Sequence, residues 1–287
     1  MATLSKKIDF AVIVTVNRAN PNGDPLTGNR PRVTYEGLGE ISDVAIKRKI
    51  RNRLMQMGKK IFVQSDDNRE EGDPHRSLLA RASKEIKADP KKEDEKYRKE
   101  ACAKWLDVRA FGQVFPIKGE TKGQGASIGI RGPVSIHNAF SVTKIENRMT
   151  SLQITKSVST EGDGSKRGSD TMGMKHRVDH GVYVFYGAMN PQLASKTGFS
   201  DEDAEAIKEA LRTLFVNDAS SARPEGSMQV FKVYWWEHNS KNGQYSSAKV
   251  HRLLKVEATS EQPNSIEDYK ITLGKLDGLN CEEIDGE

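Results

Sequence analysis

Lys166, Arg167, Lys175 and Arg177 are interleaved with Met172 and Met174 in one stretch of the chain. Such cations neutralise phosphates, and an unbranched thioether is an adaptable wedge against the face of a base. A second basic group runs from Lys47 to Lys60, with seven basic residues and no acid. Solvated helices usually mix signs, because like charges at i,i+4 oppose one another by roughly 0.2–0.5 kcal/mol per pair. A run of cations alone therefore implies an anion close by. A third group, Gly119 to Gly132, sets five glycines among Lys118, Lys122 and Arg131, so its amides could lie against phosphates. It holds neither GxxxxGKS/T nor GxGxxG at a strand-to-helix junction, which argues against a nucleotide cofactor.

Catalytic and metal chemistry find less support. His176 and His180, in HRVDH, are spaced for a metal only on a helix. In a strand that spacing puts them on one face about 13 Å apart. Neither GxSxG nor HExxH occurs, and Cys102 stands in a charged helical segment without an evident base. No cofactor or metal site is expected. One acid stands out: Asp24, in the loop NPNGDP, is flanked by turn-formers and can satisfy local amides.

The elements that must position these groups follow from periodicity. Ser151 to Gly187 reads as a long hairpin, with strand-like residues at Ile154, Thr155, Val158 and Val182 to Phe185. Its polar tip, Glu161 to Gly173, has almost nothing to bury, so the hairpin projects from the body. Ile8 to Val16 alternates as a half-buried strand and empties into Asn17–Pro31, a long loop with three prolines, two glycines and four asparagines. Ile46, Ile50, Leu54 and Met57 make the apolar stripe of a helix. Lys47 and Arg51 flank that stripe on one side, Lys49 and Arg53 on the other. Arg76 to Trp105 reads as a helical insertion with a solvated face of mixed charge. Asp107 to Phe115 is strand-like, and Gly112 within it suggests a bulge or the close approach of another backbone. Val134 to Phe140 is a further strand. Ser200 to Phe215 is a helix capped by Ser200, with Asp203 at the capping-box position. A loop from Asn217 to Met228 carries Arg223. Gln229 to His238 is a strand with Phe231, Val233 and Trp235 on one face and Val230, Tyr234 and Trp236 on the other. Asn242-Gly243 signals a hairpin turn into Ala248–Val256. Tyr269 to Leu273 is a last short strand, and the acidic end is expected to fray.

The totals set bounds on these readings. The chain has 287 residues, a net charge of +5 and a pI near 9.0, a mild excess compatible with an anionic partner. Two cysteines, Cys102 and Cys281, are too few for a disulfide framework. No run of 18 apolar residues exists and no leader peptide is evident, so a cytoplasmic protein without a membrane partner is expected. The order of elements suits an α+β fold, a ferredoxin-like or RRM-like sheet. The aromatic RNP signature is missing, and with 7% aromatic residues base stacking would not dominate binding.

NPNGDP, IKRKIRNRL, DVRAFG, RGPVSIHNAFS, TMGMKHRVDHGVYV, TGFSDEDAEAI and NDASSARPEGSM occur in this order along nearly the whole chain. Together they resemble the backbone subunit of type I-C CRISPR Cascade, in the Cas-seven superfamily. The resemblance implies a right-hand shape: an RRM-like palm (1–65 and 107–287), a helical finger (66–106) and a β-hairpin thumb (151–182). It implies copies stacked head to tail on the crRNA spacer, bound without sequence preference as a helical filament. Its bases then remain open to the target DNA strand, and other Cascade subunits are further partners. Lys47 and Arg51 match palm-helix positions that hold guide phosphates, and Arg48 shares their motif. Asn22 and His137 lie in two of the other motifs. Arg109, Arg131 and Arg223 follow from motif and charge, and the thumb contributes Arg167, Met172, Met174, Lys175 and Arg177. Such a subunit is not an enzyme. The runner-up reading is a type III-like backbone subunit, whose relatives cut target RNA with a loop aspartate comparable to Asp24. A generic RNA-binding protein outside CRISPR would lack regular oligomers on guide RNA.

Overall fold

The computed structural model describes residues 2–65, 69, 72–117, 126–156 and 171–287. Its centre is β1 (Ile8–Ala19), which pairs on both sides within an antiparallel sheet of eight strands among the described residues. The expected alternation is present, but neither face is solvated. Phe10, Val12, Val14 and Val16 enter one core, while Ala11 and Ile13 enter a second core on the opposite face. The strand is buried on both sides, so alternation here sorts residues between two cores rather than between core and water.

The loop after β1 is partly ordered as a small hairpin, β2 (Gly23–Asp24) with β3 (Arg30–Pro31). β4 (Leu38–Ile41) is one edge of the sheet and leads into α1 (Asp43–Gln56), capped by Ser42. Ile46, Ile50 and Leu54 of α1 pack into the core under β1, as their spacing predicts. The insertion forms α2 (Leu78–Glu85) and α3 (Asp94–Lys104). Asp107 to Phe111 is not strand but helix, α4 (Leu106–Phe111). Gly112 ends it at φ +80, and β5 (Gly112–Ile117) then pairs with β6 (Ala126–Arg131). A Cβ on Gly112 would sit 2.3 Å from the Ile130 carbonyl oxygen, so the expected close approach of backbone is real. Phe62, Tyr97, Trp105, Val108, Phe115 and Ile128 give this region its own small core.

The strand expected over Val134–Phe140 is broken in two, β7 (Val134–Ile136) and β8 (Ala139–Lys144). β9 (Met149–Lys156) and β10 (Thr171–Met189) form the expected hairpin, paired from Thr171 opposite Lys156 to Val178 opposite Met149. β10 then continues as the neighbour of β1, so hairpin and sheet centre share one continuous strand. The tip, with Arg167, and the glycine segment holding Lys118 and Lys122 lie outside the described residues. A short helix that sequence reading missed, α5 (Pro191–Thr197), precedes α6 (Asp201–Arg212). The capping box of Ser200 and Asp203 on α6 is present.

β11 (Met228–Glu237) departs from the expected alternation. Its register against β1 slips between Ile13 and Val14, leaving Phe231 unpaired there. This bulge moves Val230 to the face of Val233 and Trp235, and Phe231 to that of Tyr234 and Trp236. Asn242-Gly243 does not open a hairpin. The chain instead forms α7 (Ser247–His251) and β12 (Leu254–Ala258), which pairs with β13 (Tyr269–Leu273) over the second core. The acidic end is not frayed either: β14 (Cys281–Asp285) closes the edge of the sheet against β11. The strand order is β14-β11-β1-β10-β8-β4. Among the described residues, no helix is long and apolar enough to cross a membrane.

Candidate nucleic-acid interface

α1 turns two different faces to its surroundings. Ala45, Arg48, Lys49 and Asn52, spaced i, i+3, i+4 and i+7, line a cleft of about 480 Å³. The opposite walls are Asn22 and Gly23 of the loop after β1, and Asn217 to Ser220 with Arg223 of the loop before β11. The two loops are tied together at the base. Asn20 donates its backbone N–H to the Ala222 carbonyl at 2.9 Å and its side-chain amide to the Asn29 carbonyl at 2.7 Å. Asn22 Oδ1 accepts from both the backbone and the hydroxyl of Ser42, at 2.9 and 3.0 Å, fixing the start of α1 against the loop.

The electrostatics of this cleft turn on one shared carboxylate. Asp218 is paired with both Lys49 and, at 3.4 Å, Arg223. Among the described residues, the two cations on this one acid leave an excess of positive charge. Burial pushes the Lys49 ammonium down to about 8; Asp218 opposes that shift and Arg223 adds to it. A site that already strains to keep its cation protonated favours an incoming anion. Arg48 also donates to the Val63 carbonyl at 2.7 Å, which sets the direction of its side chain.

Other residues marked in the sequence have charges matched within the chain. Arg51 Nε meets Asp107 Oδ2 at 3.0 Å, and its guanidinium lies over the Phe111 ring. Asp107, 1% exposed, also accepts from the amides of Phe62 and Val63. Lys47 pairs with Asp43 at 2.9 Å. Arg109 makes a two-pronged contact with Asp203, both distances 2.7 Å, joining α4 to the start of α6. The anions that the basic run of α1 implies are thus in part the protein's own carboxylates. Asp24 accepts from the Leu26 amide at 3.1 Å and caps its own turn, with Arg32 at 3.7 Å.

On the hairpin, period two separates residues that the sequence sets side by side. Lys175 and Arg177 share one face of β10, and Met174, 56% exposed, points to the other. The backbone of Met172 lies in β10, and its side chain is outside the described residues. Arg177 bonds Asp179 at 3.1 Å and reaches a second groove of about 920 Å³ at the hairpin base, lined also by Arg18, Lys144, Arg148 and His180. Burial and the nearby Arg148 push the His180 imidazole down, favouring its neutral form. Arg131 ends β6 exposed, and His137 packs its ring against His251 at 5.6 Å and Tyr186 at 6.5 Å.

The structure therefore gathers Asn22, Arg48 and Arg223 at one cleft and places Arg131, His137, Met174, Lys175 and Arg177 elsewhere. Sequence reading missed Lys49, Asn52 and Asp218 as members of the cleft. The spacing from Ala45 to Asn52 marks a face, but the wall that carries Asp218 comes from residues more than 160 positions away.

A sequence model of the family described as CRISPR-associated protein Cas7 matches residues 6–274. A CRISPR-associated protein Cas7 of Haloferax volcanii is 24% identical over 289 residues, covering 96% of this chain and 83% of the relative. Among solved structures, a chain from a "CRISPR RNA-guided surveillance complex, pre-nicking" aligns with a TM-score of 0.44 at 18% identity, covering 80% of this chain and 75% of that one. A chain from another "CRISPR RNA-guided surveillance complex" aligns at 0.39 and 17% identity, covering 80% and 68%. With the family match running over nearly its whole length, the chain belongs to the CRISPR-associated Cas7 family.

Proposed function

We propose that this chain is the repeating backbone subunit of a type I-C CRISPR surveillance complex. It holds the crRNA spacer by its phosphates, without reading sequence, and stacks head to tail with further copies. The guide bases stay open to the target DNA strand, and other Cascade subunits close the assembly in the cytoplasm. The observation that carries the reading is the cleft beside α1, where, among the described residues, Lys49 and Arg223 share one carboxylate, Asp218. Its lining has positive charge to neutralise phosphate and, among the described residues, no aromatic platform on which to stack bases, which favours a backbone grip.

Two features of the fold support the same reading. β11-β1-β10-β8, with α1 after β1 and α6 before β11, has the element order and all-antiparallel pairing of an RRM-like palm. The hairpin β9–β10 is the thumb of that palm, rigidly continued into the sheet. The role is one of binding rather than catalysis: Asp24 is engaged in capping its own turn, which speaks against the type III-like cleavage reading.

Assembly tests the proposal. Protein titrated onto RNAs of graded length and then sized, with and without RNase, gives particles whose mass follows the RNA. A head-to-tail contact that does not close makes an open array of this kind. Discrete dimers of constant size on short and long RNA alike would refute it.

A further inference from the structure

The groove at the base of the hairpin, about 920 Å³, has a lining of mixed sign: Arg18, Lys144, Arg148 and Arg177 against Asp179 and Glu261. Arg177 is matched by Asp179. Arg18 and Lys144 are exposed and meet no carboxylate among the described residues. Arg148 donates to the backbone carbonyls of Glu261 and Pro263, which fix its direction without cancelling its charge. The groove is thus net cationic among the described residues, yet it holds two carboxylates that repel a chain of phosphates.

The opposite corner of the sheet carries the complementary surface. β14 pairs with β11 alone, so its outer edge is open among the described residues. Three cations there are each shared by two carboxylates. Lys232 pairs with Glu283 and Asp285, at 3.7 and 3.2 Å. Lys208 pairs with Glu205 and Glu282, at 2.9 and 3.1 Å. Arg212 pairs with Glu209 and Glu287, at 2.8 and 3.0 Å. Acids outnumber cations two to one in this cluster, and the Asp285 side chain is 86% exposed. β14 borders the part of β11 that lies beside Ile8–Ile13 of β1. The groove takes Asn17 and Arg18 from the far end of β1 and lies on the side of β10 and β8.

We propose that the acidic β14 edge of one copy docks into the hairpin-base groove of the next. This contact presupposes head-to-tail stacking and supplies the two surfaces that meet. Like charges keep edge from edge and groove from groove, which opposes a symmetric dimer. The two surfaces differ and lie at opposite corners, so the contact repeats without closing. An edge of mixed sign also suits the groove better than RNA does, since its lysines can face Asp179 and Glu261 while its acids face Arg18 and Lys144.

The test reverses each surface in turn. The groove variant is Arg18→Glu with Lys144→Glu and the edge variant Glu283→Lys with Asp285→Lys, all four positions being exposed. Sedimentation reads cooperative loading of an RNA long enough for several copies, beside affinity for an RNA that holds one. Each variant alone should lose about tenfold in the affinity of one bound copy for the next and keep its hold on the single-copy RNA. The two variants mixed in equal amounts should recover cooperativity, because each reversed surface then meets its opposite on the other chain. If the edge reversal lowers the melting temperature, Glu283→Gln with Asp285→Asn reads the same loss in smaller measure. Variants that load like wild type, a mixture that fails to recover, or wild-type copies that bind independently overturn the proposal and leave the phosphate reading intact. A groove variant that loses as much affinity for the single-copy RNA as for the long one assigns the groove to RNA and also overturns it. Wild type that binds neither RNA removes the phosphate reading. The mixture, but neither variant alone, should then still sediment as a complex without RNA, and its failure to do so overturns this contact as well.

Discussion

Replacing Arg51 with Met separates a cation that holds the fold from one that holds RNA. Met keeps the aliphatic packing against Phe111 and removes the charge that meets Asp107 at 3.0 Å. Asp107 is 1% exposed, so losing one partner leaves a buried carboxylate short of compensation. Breaking a buried ion pair costs about 3–5 kcal/mol when nothing else supports the survivor. Here the amides of Phe62 and Val63, at 2.7 and 3.0 Å, still donate to Asp107. That lowers the expected cost to about 2–3 kcal/mol, the worth of one hydrogen bond to a charged group. For a chain of this size the loss corresponds to a fall in melting temperature of about 3–5 °C. Thermal melting read by circular dichroism measures it, and RNA affinity against salt is measured in parallel. The affinity slope should not change. An unaltered melting temperature with a shallower salt slope would refute the structural role and return Arg51 to the RNA.

Lys49 gives a pH prediction. Its folded-state pKa of about 8 lies below that of an unfolded lysine, so between pH 8 and roughly 10 the unfolded chain binds the extra proton. Stability contributed by this residue therefore rises with pH in that window, by about 1.4 kcal/mol per unit. The difference between wild type and Lys49→Met in chemical denaturation reads it, and a difference flat from pH 7 to 10 would contradict the burial argument. The thumb gives another. Thr171 pairs with Lys156, so a two-residue Gly-containing turn can replace residues 157–170. The replaced protein should melt like wild type; chemical probing of bound guide should show nucleotides distorted at regular intervals by the thumb with wild type and none with the replaced protein, and a pattern that persists would assign the distortion to another element.

How much of this was legible in the sequence depends on the range of the interactions. α1, α6 and the β9–β10 hairpin were readable because periodicity and capping are local. The capping box of Ser200 and Asp203 is contained in four residues. Asp107 to Phe111 misled because a short helix ended by Gly112 carries the same β-branched and aromatic residues as a strand. Val230 and Phe231 traded faces through a bulge whose cause is pairing with β1. The acidic end read as frayed because its charges are visible in sequence and its partner β11 is not. The cleft was half legible. A basic helix was evident, but Asp107, Asp203 and Asp218, which decide which cations are matched, approach only in the folded chain. The strand parity that parts Met174 from Lys175 and Arg177 was available from the hairpin itself.

The cleft beside α1 as the grip on guide phosphates is the central claim, and the salt dependence of RNA affinity tests it most directly. Wild type and the double variant Arg48→Ala, Arg223→Ala are titrated with single-stranded RNAs of unrelated sequence over a range of salt. Losing two phosphate contacts should make the slope of log affinity against log salt shallower by about 1.4, at about 0.7 per contact on a single strand. The loss should be equal for every sequence. A slope unchanged from wild type, or a loss confined to particular sequences, would contradict a phosphate grip at this cleft.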